Sequence, residues 1–189
     1  MRARRGARNR GRCRTEGAMQ VLGLTGWSGS GKTTLLTAML PHLIARGLAV
    51  STIKHAHHAF DLDQPGKDSW RHRQSGAREV MVASSVRWAL MHEVAGEEPS
   101  LTDLLARLSP VDLVVVEGFK ANPHPKIEVH RPALGRPPIW PGRPDIVAIA
   151  CDEAPSVAAP PLLPLNDPAA VADWALRYLQ ITPGLDTTP

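Results

Sequence analysis

The chain has 189 residues, enough for one α/β domain with a full hydrophobic core and too few for a second domain of ordinary size. Its formal net charge of +4 is unevenly distributed. Residues 1–18 hold seven Arg and one acid, Glu16, whereas residues 19–189 carry 15 basic and 17 acidic residues, a net charge of −2. The basic excess that would favour nucleic-acid binding therefore belongs to the lead segment alone, and we expect no nucleic-acid role for the rest.

The lead segment, residues 1–18, is rich in Gly and Arg and has too little apolar content to pack, so we expect it to be disordered. An RNA-binding arm or an organellar transit peptide would have a similar composition. Because Met19 is followed at once by an apolar strand, we favour an upstream extension without function, with translation beginning at Met19.

The cysteine and apolar content argue against a secreted or membrane protein. Cys13 and Cys151 cannot form a disulfide framework or a metal cage. No window approaches the length of a membrane span, and the apolar stretch 21–24 is too short for a secretory signal. We expect a cytoplasmic protein.

Apolar periodicity and the positions of Gly and Pro predict the strands and helices of the first half of the chain. In order, we expect a strand at 20–25, a helix at 32–46 closed by Gly47, a strand at 49–53, a loop at 54–67, a short helix at 68–74, and a hairpin of strands at 79–83 and 86–92 joined by Ser84-Ser85.

The second half alternates strands and helices, which is typical of a mainly parallel sheet. We expect a helix at about 100–108, a buried strand at 112–117, a strand at 126–130, an irregular Pro-rich loop at 132–144, a buried strand at 146–151, an edge strand at 162–165, a helix at 169–180 opened by Pro168, and a loose tail at 182–189.

The pattern Gly-x-x-x-x-Gly-Lys-Thr spans Gly26 to Thr33 between a predicted strand and a predicted helix, the setting of a phosphate-binding loop (P-loop). Its glycines allow the backbone to curl so that N–H groups point at phosphate oxygens. Lys32 should reach the β and γ phosphates, and the Thr33 hydroxyl should hold Mg²⁺. We therefore predict an α/β fold, a single P-loop NTPase domain over 19–181 with a β-hairpin insertion. The predicted nucleotide contacts are Gly26, Ser28, Gly29, Ser30, Gly31, Lys32, Thr33 and Thr34.

Glu117 ends the apolar strand 112–117, where a carboxylate commonly supports a nucleotide-bound Mg²⁺ directly or through water. We predict that it shares the metal with Thr33, the alternative being a structural ion pair. Gly118 would let the chain pass close to the γ phosphate, and Asp112 reads as a solvated boundary charge. Lys32 and Glu117 are the candidate catalytic residues.

The loop 55–68 contains three His and three Asp. Their spacing matches no standard zinc site, so the loop could hold a transition metal or clamp phosphate or Mg²⁺. Lys54, at the end of a strand, and Asp68 are candidates to contact the nucleotide or a partner's substrate, and the alternative is that both are surface charges.

Guanine recognition is not decided by spacing, because the chain lacks an intact Asn-Lys-x-Asp sequence. Asp152, after the strand 146–151, and Asn166-Asp167, after the edge strand, are the available candidates. Each could instead cap a turn or a helix.

Residues 19–180 resemble the molybdopterin-guanine dinucleotide biosynthesis adapter family, MobB. The match rests on the stretches 27–36, 53–55 with 65–69, 87–91, and 113–120. The resemblance implies a GTP-binding protein, usually dimeric and weak as a GTPase, that assists the guanylyltransferase attaching GMP to molybdopterin. It implies phosphate contacts at 29–34, a metal role for Glu117, and positions for Lys54, His55 and Asp68 near the nucleotide or the pterin.

Two other functions fit parts of the sequence. A small-molecule kinase would need arginines over the transferring phosphoryl group, which Arg71, Arg73 and Arg78 could supply. A metal-delivery GTPase would use the His-rich loop, His57 and His58 in particular. Because no catalytic base is obvious, we expect at most a weak GTPase.

Overall fold

The fold is given by a computed structural model that describes residues 19–56, 60–153 and 160–182. The expected disorder of residues 1–18, most of the expected loose tail, and His57 and His58 lie outside these residues. The described chain forms eight strands and four helices: β1 (Gln20–Thr25), α1 (Lys32–Ala45), β2 (Val50–Lys54), α2 (Asp68–Gln74), β3 (Glu79–Ala83), β4 (Trp88–His92), α3 (Leu101–Leu105), β5 (Leu113–Glu117), β6 (Lys126–His130), β7 (Ile146–Cys151), β8 (Leu162–Pro164) and α4 (Pro168–Tyr178).

Six of the strands form one parallel sheet in the order β2-β5-β1-β6-β7-β8. β3 and β4 form a separate antiparallel hairpin, and β8 lies at the sheet edge. This arrangement confirms the α/β class, the inserted hairpin and the edge position of the Pro-containing strand. Because β1 lies between β5 and β6, the loop after β1 is flanked by the carboxyl ends of both neighbours, the usual position of a ligand site in such sheets.

Two predicted boundaries were wrong. The hairpin turn spans 84–87, because the Ser84 Oγ accepts the N–H groups of Val86 and Arg87 at 3.3 and 3.2 Å and closes a wider turn than Ser84-Ser85. The helix expected at 100–108 begins with a capping box between Ser100 and Asp103 and ends at Leu105. The other predicted elements are present within two residues of their expected limits.

Asp112 was expected to be a solvated charge, and this was also wrong. The residue is half-buried, and its carboxylate accepts the backbone N–H of Ala49 at 2.7 Å. Asp112 therefore joins the starts of β2 and β5 before their ladder begins.

Helices α1 and α4 cover one face of the sheet. Their apolar residues pack on inward-facing residues of the strands in a single core that includes Leu22, Leu24, Met39, Leu43, Val115, Ile127, Val171 and Leu176. β5 is buried along its whole length, with Val114 and Val116 packing under α3 on the opposite face. This double burial explains its continuous apolar sequence.

Irregular segments cover the rest of that opposite face. The connection 118–125 crosses β1 between β5 and β6, and it lies so close at Gly23 that a Cβ there would come within 2.6 Å of His124 Nε2. The Pro-rich segment 132–144 brings Trp140 into a small apolar cluster with Ile146 and Ile149. Both segments reach the loop after β1, where Lys120 and Pro137 lie beside Trp27.

A fully buried lysine anchors the connection. Lys126 Nζ donates to Asp145 Oδ2 at 2.7 Å, to the His124 carbonyl at 3.0 Å and to the Asn122 carbonyl. Burial lowers the pKa of Lys126, and the Arg143 hydrogen bond is the main cause that lowers the pKa of Asp145. The charge is therefore satisfied by one carboxylate and two carbonyls, as a buried ammonium requires.

Acid should destabilise the fold through His124. Burial lowers its pKa from 6.5 to about 4, with the Lys126 charge acting in the same direction. Neither ring nitrogen has a partner among the described residues. Because the folded protein disfavours the protonated ring, this part of the stability is complete above pH 6.5 and is lost as the pH falls toward 4.

We expect the free energy of unfolding to fall by about 2 kcal/mol more between pH 7 and pH 5 in the wild-type protein than in His124→Gln. Urea unfolding at both pH values measures this difference. His72→Gln, at an exposed position in α2, should keep the wild-type pH dependence. An equal loss in wild type and His124→Gln would show that His124 is accessible to protons in the folded state.

Candidate functional site

The loop after β1 has the curled backbone that its glycines predicted. Gly26, Gly29 and Gly31 have φ values of 146°, 80° and 98°, which side chains rarely adopt. At Gly26 a Cβ would also come within 2.5 Å of the Val129 carbonyl oxygen in β6. The loop thus lies directly against the neighbouring strand, and α1 begins at Lys32 with its first N–H groups beside the loop.

Lys32 folds back over this loop. Its Nζ donates to the carbonyls of Gly26 and Trp27 at 3.1 and 2.8 Å. Burial is the main cause that lowers the pKa of Lys32, the Glu117 carboxylate opposes it, and Lys120 and Lys54 add to the lowering. A bound phosphate would offset that electrostatic cost. Ser30 is buried, and its Oγ has no partner among the described residues, so the loop also contains a polar group suited to a ligand oxygen.

The predicted metal residues meet at the start of α1 and the end of β5. Thr33 Oγ1 lies 2.9 Å from both carboxylate oxygens of Glu117, which is 8% exposed. Because the hydroxyl donates its proton to Glu117, its lone pairs stay available to a cation. Lys54 Nζ is 3.8 Å from Glu117 Oε1. These hard oxygen ligands beside a phosphate cradle fit Mg²⁺.

His55 continues from β2 and packs beside Glu117. Its backbone N–H donates to the backbone carbonyl of Glu117 at 2.8 Å, and its ring stacks on the Phe119 ring with centroids 4.6 Å apart. Phe119 has a φ of 47°, and Gly118 before it has a φ of 103°. Two successive left-handed residues turn the chain sharply after Glu117, so the strand end is held in an uncommon backbone conformation.

A shallow cavity of about 360 Å³ opens beside this turn. It is lined by His55, Glu98, Phe119, Lys120 and Asn122, among others. The Glu98 carboxylate is 2.6 Å from His55 Nε2. The cavity therefore combines aromatic surface with groups of both charges, next to the predicted metal residue Glu117.

Trp27 is a site residue that the sequence analysis missed. Its Nε1 donates to the Pro137 carbonyl at 2.7 Å, and the side chains of Lys120 and Arg136 lie 5.5 and 5.6 Å from its ring centroids. The Pro-rich segment, expected to be an irregular surface loop, thus contacts the P-loop. The Pro and Gly content of the segment predicted that it is irregular. The signal for its contact with the P-loop was Trp27, a large aromatic side chain within the glycine loop.

The carboxyl ends of β7 and β8 bring the guanine candidates to one edge of the site, where the Leu165 N–H donates to the Cys151 carbonyl at 3.2 Å. Asp152 pairs with Arg131, with Oδ2 2.6 Å from Nη1. Asp167 caps α4 by accepting the Ala170 N–H at 3.0 Å, which is the capping role given above as the alternative to guanine recognition. Asn166 is exposed.

The remaining candidates lie apart from this cluster. Asp68 is exposed at the start of α2, and among the described residues it has no hydrogen bond or ion pair with the P-loop. Arg73 is committed to Asp61 and Asp63, at 2.6 and 2.9 Å. Arg73 is therefore paired away from the P-loop, and the other two arginines of the kinase alternative are exposed, Arg71 in α2 and Arg78 just before β3.

No group of three or more His, Cys, Asp or Glu side chains in the described ranges is arranged to hold a metal ion. The metal-delivery alternative depends on His57 and His58, which lie outside those ranges. Within the described helices, none has the length and apolar character needed to cross a membrane.

The parallel sheet with a curled glycine loop between β1 and α1 defines the class as a P-loop NTPase α/β domain. A family profile for molybdopterin guanine dinucleotide synthesis protein B matches residues 21–152. The chain belongs to this family.

Individual relatives extend the match over most of the chain. It is 42% identical over 162 residues to the molybdopterin-guanine dinucleotide biosynthesis adapter protein of Haemophilus influenzae, covering 84% of this chain and 89% of that protein. The Escherichia coli adapter protein is also 42% identical, over 164 residues, covering 85% and 93%. A crystal structure of molybdopterin-guanine biosynthesis protein B (mobB) superposes with a TM-score of 0.66 at 33% identity, over 84% of this chain and 99% of that one.

Gly118 should be intolerant of a side chain. A Cβ there would lie 2.6 Å from His55 Cβ, in addition to the strain of a φ of 103°. We expect Gly118→Ala to destabilise the fold by about 2 kcal/mol more than Gly76→Ala, because overpacking adds to backbone strain.

Gly76 is the matched control, with a φ of 95° and open space where a Cβ would lie. Urea unfolding of both variants measures the difference. Equal destabilisation would mean that His55 moves away at little cost and does not hold the turn after Glu117.

Proposed function

We propose that the protein is a GTP-binding adapter of molybdopterin guanine dinucleotide biosynthesis, which binds Mg²⁺–GTP and assists a molybdopterin guanylyltransferase. The observation that carries the proposal is the contact of Thr33 with Glu117 at the mouth of the glycine loop. The names of relatives that match over most of the chain support the pathway.

The residues of the loop have distinct tasks in this proposal. The backbone N–H groups from Gly29 to Thr34 hold the phosphates, and Lys32 leaves the Gly26 and Trp27 carbonyls to neutralise the β and γ oxygens. Thr33 and Glu117 hold Mg²⁺, which would offset phosphate charge. Because Glu117 accepts the hydroxyl of Thr33, it is placed to orient a metal ligand and has no free position for abstracting a proton from water, consistent with weak GTPase activity at most.

We assign guanine recognition to Asp152. β7 lies two strands from β1, so the residue after it is at the same sheet edge as the P-loop and displaced sideways from the phosphates. A carboxylate there can accept the N1 and N2 hydrogens of guanine, whereas adenine offers no matching pair of donors. Asp167 already caps α4, so it is the weaker candidate.

We assign molybdopterin to the side of Glu117 that lies opposite Asp152. The cavity beside His55 and Phe119 has ring surface, and Lys120 and Lys54 near Glu117 supply positive charge for a phosphorylated ligand. Asp68 remains a candidate for contact with the partner or its substrate. We place this function in the cytoplasm.

We also propose that the protein is a homodimer. The hairpin exposes apolar side chains on one face, with Met81, Trp88 and Leu90 exposed by 60, 67 and 40%. A second copy of the same surface is a suitable cover for such residues.

Two substitutions test the nucleotide site. Lys32→Ala should abolish measurable GTP affinity, because the phosphate charge loses its main partner. Glu117→Ala should weaken GTP binding in Mg²⁺ by about tenfold and binding in EDTA by much less, because its role is through the metal. Calorimetry with GTP and ATP, each with and without Mg²⁺, gives all these affinities.

The exposed residues Arg177 and Glu97 provide the controls, and their alanine variants should bind as wild type does. Equal losses with and without Mg²⁺ in Glu117→Ala would place Glu117 away from the metal. Preference of the wild type for ATP would contradict the guanine assignment and leave the phosphate site intact.

The adapter role predicts a GTP-dependent effect on another enzyme. Added to a molybdopterin guanylyltransferase at limiting GTP, the protein should raise the rate of dinucleotide formation, and Lys32→Ala should not. Product formation from molybdopterin and GTP measures this effect. Full stimulation by Lys32→Ala would show that any assistance is independent of the nucleotide bound here.

A further inference from the structure

Arg131 connects two parts of the site that the chain brings together from distant positions. It directly follows β6, which pairs with β1 on one side and β7 on the other. Its Nε donates to the Ser30 carbonyl in the P-loop at 3.1 Å. Its Nη1 donates to Asp152 Oδ2 at 2.6 Å. One guanidinium therefore spans the distance from the phosphate loop to the residue after β7.

The third nitrogen of the guanidinium faces the start of α1. Nη2 has no hydrogen-bond partner among the described residues, and it lies 3.7 Å from the position that a Cβ would take on Gly31. The ion pair is partly shielded, with side chains exposed by 36% for Arg131 and 22% for Asp152. A planar, rigid fork holds all three directions at once, which a lysine cannot do.

We propose that Arg131 is a specificity-positioning residue that orients Asp152 for the nucleotide base and ties that carboxylate to the backbone of the P-loop. The inference rests on the proposed nucleotide-binding function. It adds that base selection depends on Arg131, which itself does not contact the base. Asp152 retains Oδ1 and a lone pair on Oδ2 for ligand hydrogens while Arg131 fixes the plane of the carboxylate.

This arrangement makes base recognition and phosphate binding interdependent. A shift of the loop at Ser30 moves the guanidinium, and the guanidinium moves Asp152. Removing Arg131 should therefore cost GTP more affinity than ATP or inorganic triphosphate, since only GTP uses the oriented carboxylate.

The test is calorimetry on the full chain with Mg²⁺ and three ligands: GTP, ATP and inorganic triphosphate. Arg131→Gln should lower GTP affinity by about tenfold and the other two affinities by about threefold or less. Arg131→Lys should behave like Arg131→Gln, because one nitrogen does not reproduce the separate Nε and Nη1 donors that reach Ser30 and Asp152. Arg177→Gln, at an exposed position in α4, should bind all three ligands as wild type does.

A double-mutant cycle tests the coupling. Asp152→Asn alone should reduce the preference for GTP over ATP, and in the Arg131→Gln background it should reduce it no further. Asp152→Asn should also bind xanthosine triphosphate more tightly than wild type, because its amide can donate to the carbonyl that replaces the guanine amino group. Failure of that gain would place Asp152 away from the base and overturn the inference.

Two further results would overturn it. Equal losses for GTP, ATP and inorganic triphosphate in Arg131→Gln would reduce Arg131 to a support of the loop backbone. Independent, multiplying effects of the two substitutions would show that Asp152 is oriented without Arg131. Absent GTP binding or GTP preference in the wild type would contradict the proposed function itself, so the two failures are distinguishable. Thermal melting of each variant confirms that the fold is retained.

Discussion

The hydrogen bonds between the Thr33 hydroxyl and the Glu117 carboxylate join the first turn of α1 to the end of β5. These two residues are 84 positions apart, and they meet because β5 pairs with β1 in a register that brings Glu117 opposite Leu24, just before the glycine loop. The same pairing continues past the end of β5, where the Gly118 N–H donates to the Leu24 carbonyl at 3.3 Å. A curled glycine loop with a carboxylate beside the start of α1 is the result.

Around that contact, specific hydrogen bonds and close packing fix the irregular segments in place. The connection 118–125 passes over Gly23 and is anchored by the buried Lys126, and the Pro-rich segment meets Trp27 through Pro137. Neither segment has a regular period, yet each places a basic side chain near the P-loop. These are Lys120 and Arg136, beside the Trp27 ring. These two side chains lie beside the glycine loop, where the proposed function places the phosphates.

Local pattern was sufficient to predict most of the strands and helices and the conformation of the glycine loop. Periodicity predicted β5 as a buried parallel strand, and the glycine spacing predicted the loop, since both signals lie within a few consecutive residues. The partnership of Arg131 with Ser30 and Asp152 was not predictable in the same way, because it depends on β6 lying between β1 and β7. Asp112 was misjudged for a similar reason, since its partner, the Ala49 N–H, lies just before the neighbouring strand β2.

The most direct test of the central claim is a crystal structure of the protein with a non-hydrolysable GTP analogue and Mn²⁺ in place of Mg²⁺, with the metal located by anomalous scattering. We expect one metal bound by the Thr33 hydroxyl and by Glu117, directly or through one water, with the nucleotide phosphates in the loop 26–33. A metal bound away from both residues, or a nucleotide whose phosphates lie outside the loop 26–33, would contradict it.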